Sequence, residues 1–289
     1  MFFGLAFFLS AHLEAQPGKD MPPALNRAQS SLEEAMSAMD RAFIEADTEP
    51  TPEDLYFLGR AVAANILAAY EPYTVNPELT QYVNLICQAL LVHSPKIELY
   101  AGAFVLILDS QELNAFASPG GHIFITKGLL EVLNTEDMIA AVIAHELAHI
   151  SLKHGASMIA EMRITEDAAA LANRALEFSG RNSPAAQQLM SLRDSVSVVM
   201  DTLLKNGYSQ SQEFEADREA LILLSLSGYN PRALVEVLEV MQRMPNSGNI
   251  AINATHPSPA ERIANVARSL GNRQFRDESA HRASRFRNR

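Results

Sequence analysis

The feature that constrains this chain most is an apolar helical segment with three polar residues at its centre. The segment IAAVIAHELAHISLKHG, residues 139–155, carries His145, Glu146 and His149 among alanine, isoleucine, leucine and valine. Each polar side chain would cost ~1–3 kcal/mol if it were buried without a partner. A helix of this composition can therefore lie in a protein core if the three polar groups act together on one bound ligand.

The spacing of these three residues indicates a metal site. His145 and His149 form an H-E-x-x-H pattern, and positions four residues apart lie on one face of a helix, so that two imidazoles can reach one ion. Glu146 follows His145 directly and is close enough to hold a metal-bound water. Zinc suits imidazole and carboxylate ligands that leave one position for water. We predict one Zn²⁺ per chain, with Glu146 as the catalytic base.

A later helical stretch, QEFEADR (residues 212–218), offers the missing ligand. Glu213 and Asp217 are four residues apart and share a helix face. One of these carboxylates can bind the metal, and the other can accept the spare N–H of a ligating imidazole. Glu215 points roughly 160° away from Glu213, so we predict that it lies on a solvated face.

Other metal-site classes fit the sequence poorly. A metzincin would continue the motif with a glycine and a third histidine, and Leu152 and Gly155 occupy those positions. A deformylase needs a cysteine ligand, whereas Cys87 lies in an apolar helical pattern typical of a buried thiol. His154, followed by glycine, is predicted to cap the end of the metal-site helix.

The remaining pattern predicts an α+β fold that is mostly helical. Three short stretches are candidate strands of a small antiparallel sheet beside the metal-site helix: 97–108, 114–117 and 122–126. Ser-Pro-Gly-Gly separates the last two strands as a turn. Helical patterns cover 28–46, 52–70, 78–92, 127–133, 135–154, 157–178, 185–205, 209–227, 231–243 and 258–270.

Four stretches together resemble the M48 peptidases, a family of gluzincin metalloproteases. They are NAFASPGGHIFITKGLL (114–130), the metal-site helix, QEFEADREAL (212–221) and THPSPAERI (255–263). The resemblance implies a gluzincin-type zinc peptidase domain over 75–271. It also implies that a segment around 114–126 supplies an edge strand beside the cleft, where a substrate backbone can add as a further strand.

The resemblance also implies a role for each candidate residue. His145, His149 and Glu213 bind zinc, Glu146 is the catalytic base, and Asp217 supports a ligating histidine. Because the chain has no run of spanning length, it is most similar to the soluble, exported BepA-like or Oma1-like branch. That branch implies a zinc-dependent endopeptidase in quality control of the cell envelope.

The ends of the chain suggest where the protein works. Residues 1–15, MFFGLAFFLSAHLEA, resemble a signal peptide without its usual basic residues, or an N-terminal anchor; a short amphipathic helix is the alternative. Residues 16–74 are predicted to hold a linker and N-terminal helices, and 272–289 a basic flexible tail. We therefore expect an exported protein that is periplasmic or envelope-associated.

The net charge of −11 argues against general nucleic-acid binding, because nucleic acids are also negatively charged. We expect unfolded or misfolded proteins as substrates and no obligate protein partner, with peripheral membrane association left open.

Two alternatives to a constitutive protease stay open as well. One is a non-catalytic zinc-containing binder of misfolded proteins, and the other is a latent protease gated by His256. Arg262 and Arg218 are predicted to pair with internal carboxylates.

Overall fold

The computed structural model describes residues 50–94, 97–157, 207–243, 258–272, 275 and 279–287. The predicted segments 1–15, 28–46 and 185–205, most of 157–178, and His256 lie outside these ranges. The helices are α1 (Pro52–Ala69), α2 (Pro77–Val92), α3 (Lys127–Val132), α4 (Glu136–Ser151), α5 (Gln210–Leu226), α6 (Ala233–Arg243), α7 (Pro259–Leu270) and α8 (Ser279–Arg287). The strands are β1 (Phe104–Leu108), β2 (Ala115–Ser118) and β3 (His122–Thr126).

The predicted mostly helical fold with one small sheet is confirmed, but the sheet is mixed rather than antiparallel. β3 lies in the centre, antiparallel to β2 and parallel to β1. A 3-10 turn at Pro119–Gly121 joins β2 to β3, as the Ser-Pro-Gly-Gly sequence predicts. After β1, the chain crosses to the far side of the sheet and forms β2 there. β3 then lies between β1 and β2. β1 is also shorter than the predicted strand, because residues 97–103 are not in the sheet.

Helix α1 packs on the 3-10 turn through a glycine. A Cβ atom at Gly59 would lie 1.8 Å from the carbonyl oxygen of Pro119, so only glycine permits this approach. Next to this contact, α1 and the sheet share a small apolar cluster that includes Leu58, Val62, Ile66, Leu108, Phe116 and Phe124. The helix before residue 75 is therefore part of the same packed unit as the strands.

Helix α4, which carries the H-E-x-x-H motif, is the centre of the main core. The Thr135 hydroxyl accepts a hydrogen bond from the Met138 N–H at 3.2 Å and so caps its first turn. Every residue from Glu136 to His149 is buried, and the helix contacts β2, α2, α5 and α6. The motif is thus held in the interior by packing on several sides.

The C-terminal helix α8 corrects the expectation of a flexible tail for residues 279–287. Arg282 is buried and donates two hydrogen bonds to Asp137, at 2.8 and 2.9 Å. Arg285 pairs with Glu136 at 2.6 Å. Arg282 and Arg285 are therefore the partners of two buried acids at the start of α4.

Among the described residues, every helix is too short or too polar to cross a lipid bilayer.

Candidate metal centre

Three buried side chains from two helices meet at one point. Nε2 of His145 lies 3.1 Å from Nε2 of His149. The carboxylate of Glu213 lies 3.3 Å from each of these nitrogens, one through Oε2 and the other through Oε1. Two imidazole nitrogens and one carboxylate, each aimed at the others, are the donor set that a catalytic zinc site uses. The residues predicted as ligands thus fit a metal ion.

Local sequence places Glu213 in the first turn of α5. Ser209 caps the helix and forms a capping box with Gln212, which fixes where the helix begins. Asp217 lies one turn further on, and both carboxylates are fully buried against α4. Glu215, by contrast, is exposed, as predicted.

Asp217 supports His145 on the side away from the ligand cluster. Its Oδ1 lies 3.1 Å from Nδ1 of His145. Arg262, on α7, donates to both Asp217 oxygens at 2.6 and 3.0 Å and lies 3.0 Å from Glu213. Arg262 therefore pairs with internal carboxylates, as predicted, whereas Arg218 is exposed.

These charges set the protonation of the metal-free site. Burial, the largest influence, and the Arg262 charge both lower the pKa of His145, but Glu213 and Asp217 outweigh them and raise it to about 9. Burial raises the pKa of Asp217, but Arg262 and His145 outweigh it and lower the pKa to about 2. Asp217 is therefore an anion at neutral pH, as a partner for an imidazole N–H requires.

Glu146 is 2% exposed and follows His145 directly on α4. Burial and then the negative charges of Glu146 and Glu213 raise the pKa of Tyr208. Tyr208 is therefore a neutral phenol close to both acids. Its ring also stacks on His149, with centroids 3.9 Å apart and planes 15° from parallel.

Sequence reasoning missed Tyr208 and misassigned His154. Tyr208 precedes the α5 cap and belongs to no motif, so no signal in the sequence marks it. His154 does not act as a simple helix cap, because its Nδ1 lies 2.9 Å from Nδ1 of His149. The cause is Lys153, whose positive φ of 54° ends the helix and turns the chain back toward the motif.

A cleft enclosing about 630 Å³ of space, part of it open solvent, reaches His149 and Tyr208. The end of β2 lines it through Ala117 and Ser118, so the outer strand of the sheet borders the cleft. Its other walls are largely apolar and include Leu55, Leu99, Pro119, Ile150 and Ala156. The arrangement suits an extended polypeptide that lies along the strand with apolar side chains inward.

A family comparison agrees with this geometry. The model for peptidase family M48 matches residues 75–269. The chain belongs to peptidase family M48. This match covers both ligand-bearing helices, the sheet and α7, and it confirms the family predicted from the four motifs.

Several known proteins are similar to this M48 chain. The beta-barrel assembly-enhancing protease of Escherichia coli O157:H7 is 29% identical over 202 residues, which are 68% of this chain and 39% of that protein. The mitochondrial metalloendopeptidase OMA1 of Schizosaccharomyces pombe is 31% identical over 169 residues, 58% of this chain and 46% of that protein. This chain therefore spans less than half the length of either relative. A protease HtpX homolog of Salinibacter ruber is 28% identical over 197 residues, 59% of this chain and 69% of that protein.

The family and the names of these relatives agree with the predicted class, a metalloendopeptidase. Within the part of the chain that the structure describes, the buried group of His145, His149 and Glu213 can hold a metal ion.

Proposed function

We propose that this chain is a zinc-dependent endopeptidase whose ligands are His145, His149 and Glu213 and whose catalytic base is Glu146. The observation that carries the proposal is the convergence of the three ligand groups beside a buried glutamate in an M48 chain. Zinc is favoured over harder divalent ions because two of the three donors are imidazoles.

Bound zinc would supply a water of lowered pKa and would polarise the scissile carbonyl. The Glu146 carboxylate takes the proton of the attacking water and then passes it to the leaving amine. Asp217 holds His145 in place as a ligand, because it accepts a hydrogen bond from the Nδ1–H of that imidazole. The largely apolar cleft beside β2 holds the peptide in an extended form.

We propose unfolded or misfolded envelope proteins as the substrates. The apolar walls of the cleft suit segments that a folded protein would hide. The relative named for beta-barrel assembly enhancement supports a role at the cell envelope. The apolar stretch in residues 1–15 supports an exported, periplasmic or envelope-associated location.

The test is cleavage of casein by the purified, metal-quantified protein beside the Glu146→Gln variant. We expect the wild type to bind one zinc per chain and to cleave, and Glu146→Gln to keep its zinc and lose activity by at least ~100-fold, the lower range for a general base. His149→Ala is the contrasting variant, because it should lose zinc and activity together.

Three results would contradict the proposal in different ways. A well-folded wild type that binds no zinc would remove the metal site. Equal activity in Glu146→Gln would remove the assigned base. Zinc at one per chain without cleavage by the wild type would favour the binder of misfolded proteins, or a protease that needs a trigger.

A further inference from the structure

The second histidine ligand has a neighbour that the mechanism above leaves unused. His154 is 4% exposed, and its Nδ1 lies 2.9 Å from Nδ1 of His149. This contact lies on the side of His149 away from the ligand cluster, because Nε2 of His149 faces His145 and Glu213. His154 is thus placed where a metal-bound histidine usually has a hydrogen-bond partner.

One assignment of protons satisfies this contact. A histidine that binds metal through Nε2 carries its proton on Nδ1, so His149 must donate. Nδ1 of His154 must then accept, which puts the proton of His154 on Nε2. That nitrogen faces Oε2 of Glu215 at 3.5 Å. The contacts therefore run in one direction, from His149 through His154 to a half-exposed carboxylate.

We propose that His154 is a positioning residue that holds His149 in the orientation and tautomer needed to bind zinc, with Glu215 completing the chain of contacts. This inference rests on the zinc site proposed above. Its two histidine ligands would then have different supports. His145 donates to the anion Asp217, whereas His149 donates to a neutral imidazole and is stacked against Tyr208.

The first experiment measures zinc affinity by competition with a chromophoric chelator. We expect His154→Leu to weaken zinc binding by about 10–100-fold, the range for lost partners of metal ligands. His154→Asn should stay within about threefold of the wild type, because its side-chain oxygen can accept at the position of Nδ1. Glu215→Gln should cost about two- to fivefold, because the amide keeps an oxygen acceptor for Nε2 of His154 but removes the negative charge. His93→Leu, at the exposed histidine directly after α2, is the control and should bind zinc as the wild type does.

Two further measurements separate positioning from packing. The visible spectrum of the Co²⁺-loaded protein reports the ligand geometry, and we expect it to change in His154→Leu and to be restored in His154→Asn. Urea unfolding of each metal-free variant shows whether the affinity loss only reflects a weaker fold. Should the leucine variant fail to fold, His154→Gln replaces it, because its amide lies further out than Nδ1.

Zinc affinity of His154→Leu within twofold of the wild type would overturn the inference. So would equal losses in the leucine and asparagine variants, since the hydrogen bond would then be irrelevant. Both results are independent of peptidase activity. A wild type that binds zinc but cleaves nothing would instead overturn the proposed function and leave the role of His154 standing.

Discussion

Arg262 is the residue that balances the buried negative charge beside the metal ligands. It is 4% exposed and contacts both Asp217 and Glu213. Its guanidinium can meet two carboxylates at once because its N–H donors form a rigid fork. Without a bound metal, Arg262 and the protonated His145 both contact these two acids. The site should therefore survive the loss of its metal.

We expect Arg262→Met to lower the free energy of unfolding of the metal-free protein by about 3–5 kcal/mol, since it removes one of the two cations that balance the buried Glu213 and Asp217. Zinc should reduce that loss, because the ion would offset the charge of Glu213. Urea unfolding with and without zinc measures both effects. A loss below about 1 kcal/mol in the metal-free protein would show that Arg262 is not needed for charge balance. Arg218→Met, at an exposed arginine of α5, is the matched control.

The pKa of His145 gives a pH dependence of defined sign. It is raised from 6.5 to about 9, so its contribution to stability is fully present below pH 6.5 and is lost as pH rises through about 9. We expect the metal-free protein to lose stability over that window, while zinc affinity increases because the proton leaves. Urea unfolding and chelator competition at a series of pH values check the two trends. His145→Asn should abolish the stability trend, and a flat profile in the wild type would contradict it.

Several of these residues follow from the sequence because helix geometry places them. Residues four apart on α4, and again on α5, share a face, so spacing alone brings each pair to one side. The sequence predicted that Arg262 pairs with internal carboxylates, but naming Asp217 and Glu213 as its partners needed the tertiary fold, because Arg262 approaches from a third helix. His154 could not be found from spacing, since the left-handed residue before it moves it off the helical path. The contact between His154 and His149 therefore depends on the φ angle of Lys153.

At the scale of elements, α8 is joined to the start of α4 by two ion pairs of different burial. The Arg282 side chain is 9% exposed where it meets Asp137, whereas that of Arg285 is 58% exposed where it meets Glu136. Glu136 also accepts hydrogen bonds from the Tyr82 and Tyr229 hydroxyls at 2.8 and 3.1 Å. The two arginines therefore allow a comparison in which burial is the main variable.

We expect Arg282→Met to lower the free energy of unfolding by about 3 kcal/mol, because Asp137 would stay buried with one fewer charged partner. Arg285→Met should cost less than about 1 kcal/mol, since its pair is solvated and Glu136 keeps two hydroxyls. Chemical denaturation of the two variants at fixed zinc makes the comparison. Equal losses would mean that burial of the arginine does not determine the strength of these contacts.

The elements themselves were predictable to different degrees. The described helices follow the apolar periodicity and the capping residues, as at Thr135 and Ser209. The order of the strands could not be predicted from the sequence. Alternation within a strand shows which face is buried but not which strand lies beside it. The helical role of 279–287 was missed because arginine on a short segment usually indicates solvent. Its partners are more than 140 residues away in sequence.

At the scale of the molecule, the proposed metal would join two helices that already pack on each other. Apolar residues of α4 and α5 belong to one core that also includes α2, the sheet and α6. We expect chelator treatment to leave the far-ultraviolet circular dichroism unchanged and to lower the melting temperature. Free zinc at 100 times its dissociation constant should restore about 2.7 kcal/mol. An unfolded metal-free protein would show that the metal, rather than this core, determines the fold.

The two outer edges of the sheet differ in a way that bears on self-association. The amide of Asn84 satisfies both the N–H and the carbonyl of Val105, at 2.9 and 2.8 Å, and Gln88 donates to Ala103 at 2.8 Å. Tyr73 donates to Ile107 at 2.9 Å. Because these outer backbone groups are already hydrogen-bonded, β1 has few groups left to pair with a strand of a second copy. This arrangement protects against edge-to-edge aggregation. We therefore expect an extended chain that pairs with this sheet to add at β2, whose end borders the cleft that reaches His149.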